Sequence, residues 1–382
     1  MSKKSDFWGW FLTVLVIVLL LLPILVPAWV IWYDVIDTGN LVFYKEEYGA
    51  FENIYACSNQ LYITLDSKQL YFSGYNGCNR VYRNAKGVLN ERLGIRQPYL
   101  IFDGRVKKLI PYYTNCLLII DESDSLYLYF GDETTKLADN VIDADGQEMY
   151  DRQIYYIDAS YQLHYYKDGV DKVLADGIKR VDVCLEKIYC ITTDNTLVES
   201  ELVENQDISF KPLMENVVDV SASDFVWYER LDDGGDEPQV NKYYYPLINA
   251  LTDNGDLYVL GRYQAKLNYD ATGIEPFKVF DEWTLISKNV VAFNTTEYGT
   301  IYLTDKGESY YHGCDFVYTS DVSFIHKKLI DDSTGIDSST SMLIIETNEG
   351  WYFFGNIYGV RDETNDSIAT GTPIFWSKDD LN

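Results

Sequence analysis

Seven times between Thr64 and Gly355 the chain repeats one short pattern: an apolar stretch, an acidic or polar turn, then a Tyr-rich stretch often closed by Gly. LTDNGDLYVLG (Leu251 to Gly261), LTDKGESYYHG (Leu303 to Gly313) and IETNEGWYFFG (Ile345 to Gly355) are the clearest copies. TLDSKQLYFSG (Thr64 to Gly74), IIDESDSLYLYFG (Ile119 to Gly131), YIDASYQLHYY (Tyr156 to Tyr166) and ITTDNTLVES (Ile191 to Ser200) are weaker ones. Each reads as a β-hairpin, because Asp-Asn-Gly and Asp-Lys-Gly supply residues that accept the positive φ a tight turn needs. Asp121, Asp253, Asp256 and Asp305 recur for this reason and need no catalytic role. Short apolar segments precede most copies: ADNVIDA (Ala138 to Ala144), ADGIKRVDV (Ala175 to Val183), MENVVDV (Met214 to Val220) and SKNVVAF (Ser287 to Phe293). PYLIFDG (Pro98 to Gly104) and PFKVF (Pro276 to Phe280) read as outer strands. A spacing of 34 to 60 residues between copies is the size of a four-stranded blade with loop insertions. One blade cannot bury both faces, whereas a closed ring of them can. The expected fold is all-β, a seven-bladed β-propeller over residues 41–382. LVFY (Leu41 to Tyr44) and PIFW (Pro373 to Trp376) compete for the strand that completes the last blade.

The copies LTDNGDLYVLG, LTDKGESYYHG and IETNEGWYFFG resemble the repeat of the regulator of chromosome condensation family. The resemblance implies a seven-bladed propeller. The family's second half-motif survives in fragments, as Gly74-Tyr75-Asn76 with Leu93-Gly94 and as Gly355-Asn356. Nucleotide exchange on a chromatin-bound GTPase, the family's founding activity, does not suit an acidic domain expected outside the cytoplasm. Secreted bacterial binding proteins of the same fold are nearer in location, by analogy alone.

Phe7 to Tyr33 contains no charged residue and centres on TVLVIVLLLLPILVPAWVIW. About 20 apolar residues span the ~30 Å hydrocarbon core, so the segment suffices as a transmembrane helix. Trp8 and Trp10 at one end and Trp29 and Trp32 at the other suit interfacial aromatic belts. No small-residue cleavage site follows, which favours an uncleaved anchor. Lys3 and Lys4 precede the span, and Asp34, Asp37, Glu46 and Glu47 follow it. The positive-inside bias keeps residues 1–6 cytoplasmic, makes 34–40 a linker and exports the propeller to a periplasm or cell surface.

With 59 Asp+Glu against 31 Lys+Arg the net charge is −28, which repels phosphate backbones and disfavours nucleic acid as a partner. Among enzyme signatures, the nucleophile elbow, Walker loop, His-Glu-x-x-His and dinucleotide fingerprint are all missing. His164, His312 and His326 fall in different repeats without ligand spacing. No catalytic residue, cofactor or metal is therefore expected. Six cysteines are too few for a disulfide scaffold. Cys184 and Cys190 invite two readings, a cross-strand disulfide or two buried thiols.

Two insertions stand out. WYERLDDGGDEPQVNKYYY (Trp227 to Tyr245) sets Asp232, Asp233 and Asp236 between Trp227, Tyr228, Tyr243 and Tyr244. It reads as a long hairpin with a solvated tip, or as a hairpin that touches a partner, since Tyr and Trp favour binding hot spots. The stretch Tyr75 to Gln97 gathers Arg80, Arg83, Lys86, Arg92 and Arg96, either to neutralise neighbouring acids or to meet an anionic surface. The functional expectation is a membrane-tethered, non-enzymatic module that binds a protein through a propeller face. Two alternatives stand beside it: a carbohydrate-directed protein (a lectin or a glycoside-cleaving enzyme) and a scaffold subunit of an envelope complex.

Overall fold

A computed structural model of the chain describes residues 51–57, 60–65, 69–74, 95–113, 116–130, 133–146, 153–184, 187–202, 208–231, 239–263, 278–296, 298–314, 324–339, 342–355 and 373–377. The expected anchor over 7–33 and the candidate strand LVFY lie outside them. Among the described residues no helix is long and apolar enough to cross a membrane.

These residues form 28 strands, β1 to β28, in seven four-stranded antiparallel sheets, each sheet built from four consecutive strands. The architecture is a β-propeller. Its first strands are β1 (Phe51–Cys57), β5 (Val106–Tyr113), β9 (Val141–Gly146), β13 (Ile178–Cys184), β17 (Val217–Leu231), β21 (Val290–Thr295) and β25 (Ser333–Ser339). All seven line one central cavity and are the innermost strands. Four of them carry the apolar segments that precede the repeats in sequence. Contact between β25 and β1 closes the ring. Of the two closing candidates, PIFW supplies the outer strand β28 (Ile374–Ser377), paired to β27 (Gly350–Gly355).

Apolar clusters fill the gaps between adjacent sheets. Ile120, Leu126, Val141, Ile154 and Tyr156 join the second and third; Ile191, Leu197, Val217 and Ile248 join the fourth and fifth. Removing such a side chain from water contributes about 1.5–3 kcal/mol each. Second strands such as Cys116–Asp121, Ile154–Asp158 and Lys187–Thr192 supply much of this core, which explains their near-continuous apolar runs.

The recurrent turn locks neighbouring sheets together through main chain. In five of these turns one residue has positive φ: Asp124, Tyr161, Asn195, Gly255 or Gly307. Its carbonyl accepts the N–H of the first residue of the next inner strand, Val141, Ile178, Val217, Val290 or Ser333, at 2.8–3.0 Å. Side chains brace the same turns. Asp121 Oδ1 accepts from the N–H groups of Ser123 and Ser125, and Thr252 Oγ1 accepts from the N–H of Asp256. Asp121 thus braces its turn through its side chain, and Asp253 and Asp305 take part through their main-chain N–H groups, which donate to the carbonyls of Asn216 and Asn289.

The proposed Cys184–Cys190 disulfide does not form. Cys190 is paired across the ladder with Val181, while Cys184 is paired with Lys187. Their side chains also point to opposite faces of the sheet. Cys190 packs with Val181, Val183 and Ile188, and Cys184 packs with Tyr189 and Ile191. Side-chain alternation along a strand forbids the bridge. A second departure concerns His312 and His326, which belong to one sheet, not to two repeats, and are directly paired between its third and fourth strands.

Candidate functional site

The two ends of the propeller are built differently. At one end every connection is short: the turns just described, and links of one or two residues between sheets, such as Gly177 and Lys288-Asn289. From strand ends at the other end depart the connections 75–94, 264–277, 315–323 and 356–372 and the tip 232–238, which themselves lie outside the described residues. Both insertions singled out in the sequence leave from this second end. Strand direction fixes that result, because inner strands run from the turn end towards the connection end.

The fifth sheet shows the difference most clearly. Its strands β17 and β18 (Gln239–Thr252) stay paired from Val217↔Thr252 out to Leu231↔Gln239. The third strand of that sheet, β19 (Leu257–Tyr263), stops pairing with β18 at Leu247↔Gly261. From Asp224↔Pro246 to Leu231↔Gln239 the pair therefore continues as a two-stranded ribbon, about 25 Å long at ~3.4 Å per residue. Register sets Trp227 opposite Tyr243, Val226 opposite Tyr244 and Tyr228 opposite Lys242. Backbone pairing thus brings Trp227, Tyr228, Tyr243 and Tyr244 into one ribbon. Asp232, Asp233 and Asp236 at its tip, and Arg80 and Arg83 in the connection 75–94, lie outside the described residues.

The second feature of the site is the central cavity of about 710 Å³, which is lined by polar groups that the repeat pattern does not announce. An innermost strand has one edge with no neighbouring strand, so its N–H groups need other acceptors. Carboxylates from the preceding sheet provide them. Asp143 Oδ2 accepts from Val181 N at 2.9 Å, Asp145 Oδ2 from Val183 N at 2.6 Å and Asp182 Oδ1 from Ala222 N at 3.0 Å. Asp337 Oδ2 accepts from Ala56 N at 2.7 Å across the junction that closes the ring. Asp145, Asp182, Asn294 and Asp337 all stand four residues into their strands, and the Asn294 amide donates to Asp337 Oδ1 at 3.0 Å. At the junction of the first two sheets the fifth residue on from Val106 is Pro111, which has no N–H, and Tyr55 stands at the strand position that holds Asp145, Asp182 and Asp337 elsewhere.

Cations enter the belt from two strands. Lys108 contacts Asp143, Arg180 reaches Asp143 at 3.4 Å, and Arg180 Nε lies 2.8 Å from Asp219 Oδ1. Burial pushes the Asp145 carboxyl up to about 6, against the N–H groups of Val183 and Gly146 and the Lys108 charge, which pull it down. Burial, reinforced by Asp145, lifts Asp182 well above the usual carboxylate range, and burial raises Asp337 to about 6. Sequence reasoning missed these residues. The readable signal was an Asp or Asn recurring at one position of the inner strand, and it becomes visible only once the strand starts are aligned.

Two smaller clusters lie away from the channel. His164 Nδ1 is 3.1 Å from Asp171, whose other oxygen accepts the Tyr156 hydroxyl at 2.6 Å, and the two rings stack at 4.5 Å. His312 sits edge-on to Phe324 and His326, and burial lowers it to about 4, leaving it neutral. Among the described residues no group of three or more His, Cys, Asp or Glu is arranged to hold a metal ion.

No protein-family model and no curated protein matches the chain. Solved propellers do. Human WBSCR16 superposes with a TM-score of 0.53 at 9% identity, over 78% of this chain and 87% of that one. Prp20p from Saccharomyces cerevisiae, whose structure was reported with its binding to Gsp1p and histones, gives 0.52 at 14% identity, over 78% and 82%. Yeast RCC1 (Prp20) bound to Kap60 gives 0.50 at 14% identity, over 79% and 78%. At such identities the likeness is one of fold, and it agrees with the resemblance carried by the repeat. The chain is a β-propeller similar in fold to regulators of chromosome condensation.

Proposed function

We propose that the chain is a membrane-tethered recognition module, its seven sheets acting as the blades of a single propeller of the regulator of chromosome condensation type. It binds a protein partner outside the cytoplasm at the end that carries the ribbon. The observation that carries this reading is the ribbon itself. A two-stranded hairpin standing clear of its sheet is marginal in water, and cover by a partner would offset that cost. The sequence of this ribbon is rich in Trp and Tyr, the residue types enriched in binding hot spots. Strand direction supports the orientation. Phe51 begins β1 at the turn end, so an anchor at 7–33 would join the propeller there and leave the ribbon end facing outwards.

The test compares the full-length chain, solubilised from its own membrane, with a variant in which residues 232–238 are replaced by Asn-Gly. One protein retained at near-equal amounts by the parent and lost from the variant is the expected result. Equal retention by both would remove the tip 232–238 from the interface, and retention of glycans alone would overturn the protein-binding reading. Protease protection of the propeller on the cytoplasmic side would overturn the location.

A further inference from the structure

The belt of carboxylates holds more acid than its cations can balance, and the pattern of its hydrogen bonds and ion pairs singles out one carboxylate. Asp145 uses both oxygens as acceptors, Oδ2 from Val183 N and Oδ1 from its neighbour Gly146 N at 2.8 Å. Asp143 is likewise engaged on both sides, by Val181 N through Oδ2 and by Lys108 and Arg180 through Oδ1. Asp219 holds Arg180 Nε and the N–H of Val220 through Oδ1. Asp182 differs, since among the described residues its one hydrogen bond, from Ala222 N, falls on Oδ1 and no cation pairs with either of its oxygens. Its Oδ2 is the oxygen open to a proton, in a channel wall where Asp145 is the neighbouring acid.

The groups that face Asp182 can be named strand by strand. Lys108 comes from β5, Asp145 from β9, Arg180 and Cys184 from its own strand and Asp219 from β17, all lining the channel, and Asp143 of β9 is joined to Lys108 and Arg180. Tyr189, directly paired with Asp182, belongs to the strand beside it and Glu199 to the strand beyond, while Cys190 lies on the opposite face of the sheet. Lys108 and Arg180 are already drawn to Asp143 and Asp219. No cation among the described residues forms an ion pair with Asp182.

We propose that Asp182 is held as a neutral carboxylic acid at physiological pH, its Oδ2 protonated and its Oδ1 clamping the fifth sheet through Ala222. The seam between the fourth and fifth sheets thereby becomes proton-dependent. Burial and the Asp145 charge lift Asp182 far above an exposed carboxylate, which is consistent with the placement of the proton. The folded chain then carries a proton that the unfolded chain releases above about pH 4. Stability from this group is complete in acid and is lost as pH rises through the folded-state value. The third, fourth and fifth sheets, which share this stretch of belt, are where loosening begins.

The test is thermal unfolding of the full-length chain in detergent between pH 5.5 and 8.5, for the parent, Asp182→Asn and Asp182→Ala. Asn reproduces the neutral acid and keeps an oxygen for Ala222 N, whereas Ala removes the acceptor. The parent is expected to lose several degrees of Tm as pH rises. Asp182→Asn should lose less than half as much and match the parent at pH 5.5. Asp182→Ala should melt lower than Asp182→Asn at every pH. An Asn variant with the parent's full pH slope would overturn the proposal. Should Asp182→Asn fail to fold, infrared spectroscopy of the parent decides: a neutral carboxyl stretch at pH 7.5 supports the proposal, and its absence refutes it. Neither readout depends on the partner, so this proposal and the recognition reading fail separately.

Discussion

The turn end and the ribbon end of this propeller are made by the same strands and obey different constraints. At the turn end five junctions use the same main-chain bond, from a residue with positive φ to the start of the next inner strand. Any change there must preserve both a backbone conformation and a hydrogen bond that holds two sheets. At the ribbon end each sheet has a connection of its own length, and one sheet runs two strands far past the rest. Variation on a rigid frame is where binding surfaces are usually found. The contrast teaches that the repeat encodes the scaffold, and that function is to be sought where the repeat ends.

The largest effect is expected where the ribbon leaves its sheet. Gly261 has φ of +107°, and a Cβ there would lie 2.0 Å from the carbonyl oxygen of Pro246. Backbone cannot yield as a side chain does, so Gly261→Ala should cost about 3 kcal/mol or more in denaturant unfolding. A loss below about 1 kcal/mol would show that the ribbon's base adapts and is not part of the rigid frame.

The ring-closing junction comes next. Asp337 holds Ala56 N and the Asn294 amide, and its carboxyl is raised to about 6 by burial. A raised value means that stability from this group is present in acid and fades as pH climbs through about 6. Asp337→Asn should flatten the fall in Tm between pH 5 and 8, while losing a degree or more at pH 5 because one amide oxygen must serve Ala56 N, the Asn294 amide and Ser338 N. An unchanged pH profile would show that the closing carboxylate is ionised throughout.

A turn cap is worth less. Asp121→Ala removes the acceptor for Ser123 N and Ser125 N and should cost about 1 kcal/mol, measured by denaturant unfolding. Smallest of all should be the stability cost of replacing residues 232–238 with Asn-Gly, below about 0.5 kcal/mol, because that connection lies beyond the last ribbon pair. If the turn change proves harmless and the tip change unfolds the chain, the division between scaffold end and functional end is wrong.

The hairpins were legible in the sequence because their determinants are local. Thr252, Asp253, Asn254 and Gly255 carry within four residues the cap, the polar corner and the positive φ. The ribbon was legible too, since Trp227 to Tyr245 reads as one hairpin interrupted by an acidic tip. The pairing of His312 with His326 was not legible, because the connection 315–323 hides their membership of one sheet. The carboxylate belt was hidden for a similar reason. A bulge after the first residue of inner strands such as β13, β17, β21 and β25 shifts the alternation, so the side that Asp145, Asp182 and Asp337 face depends on register.

The sequence by itself therefore determined the repeat, the turn chemistry, the all-β class and the place of the ribbon, since each depends on neighbours along the chain. Only the tertiary structure decided which strand is innermost, which thiols lie on opposite faces and which acids meet around the axis. Those outcomes depend on a strand edge in one sheet finding its hydrogen-bond partner in the next, and no local pattern records that distance.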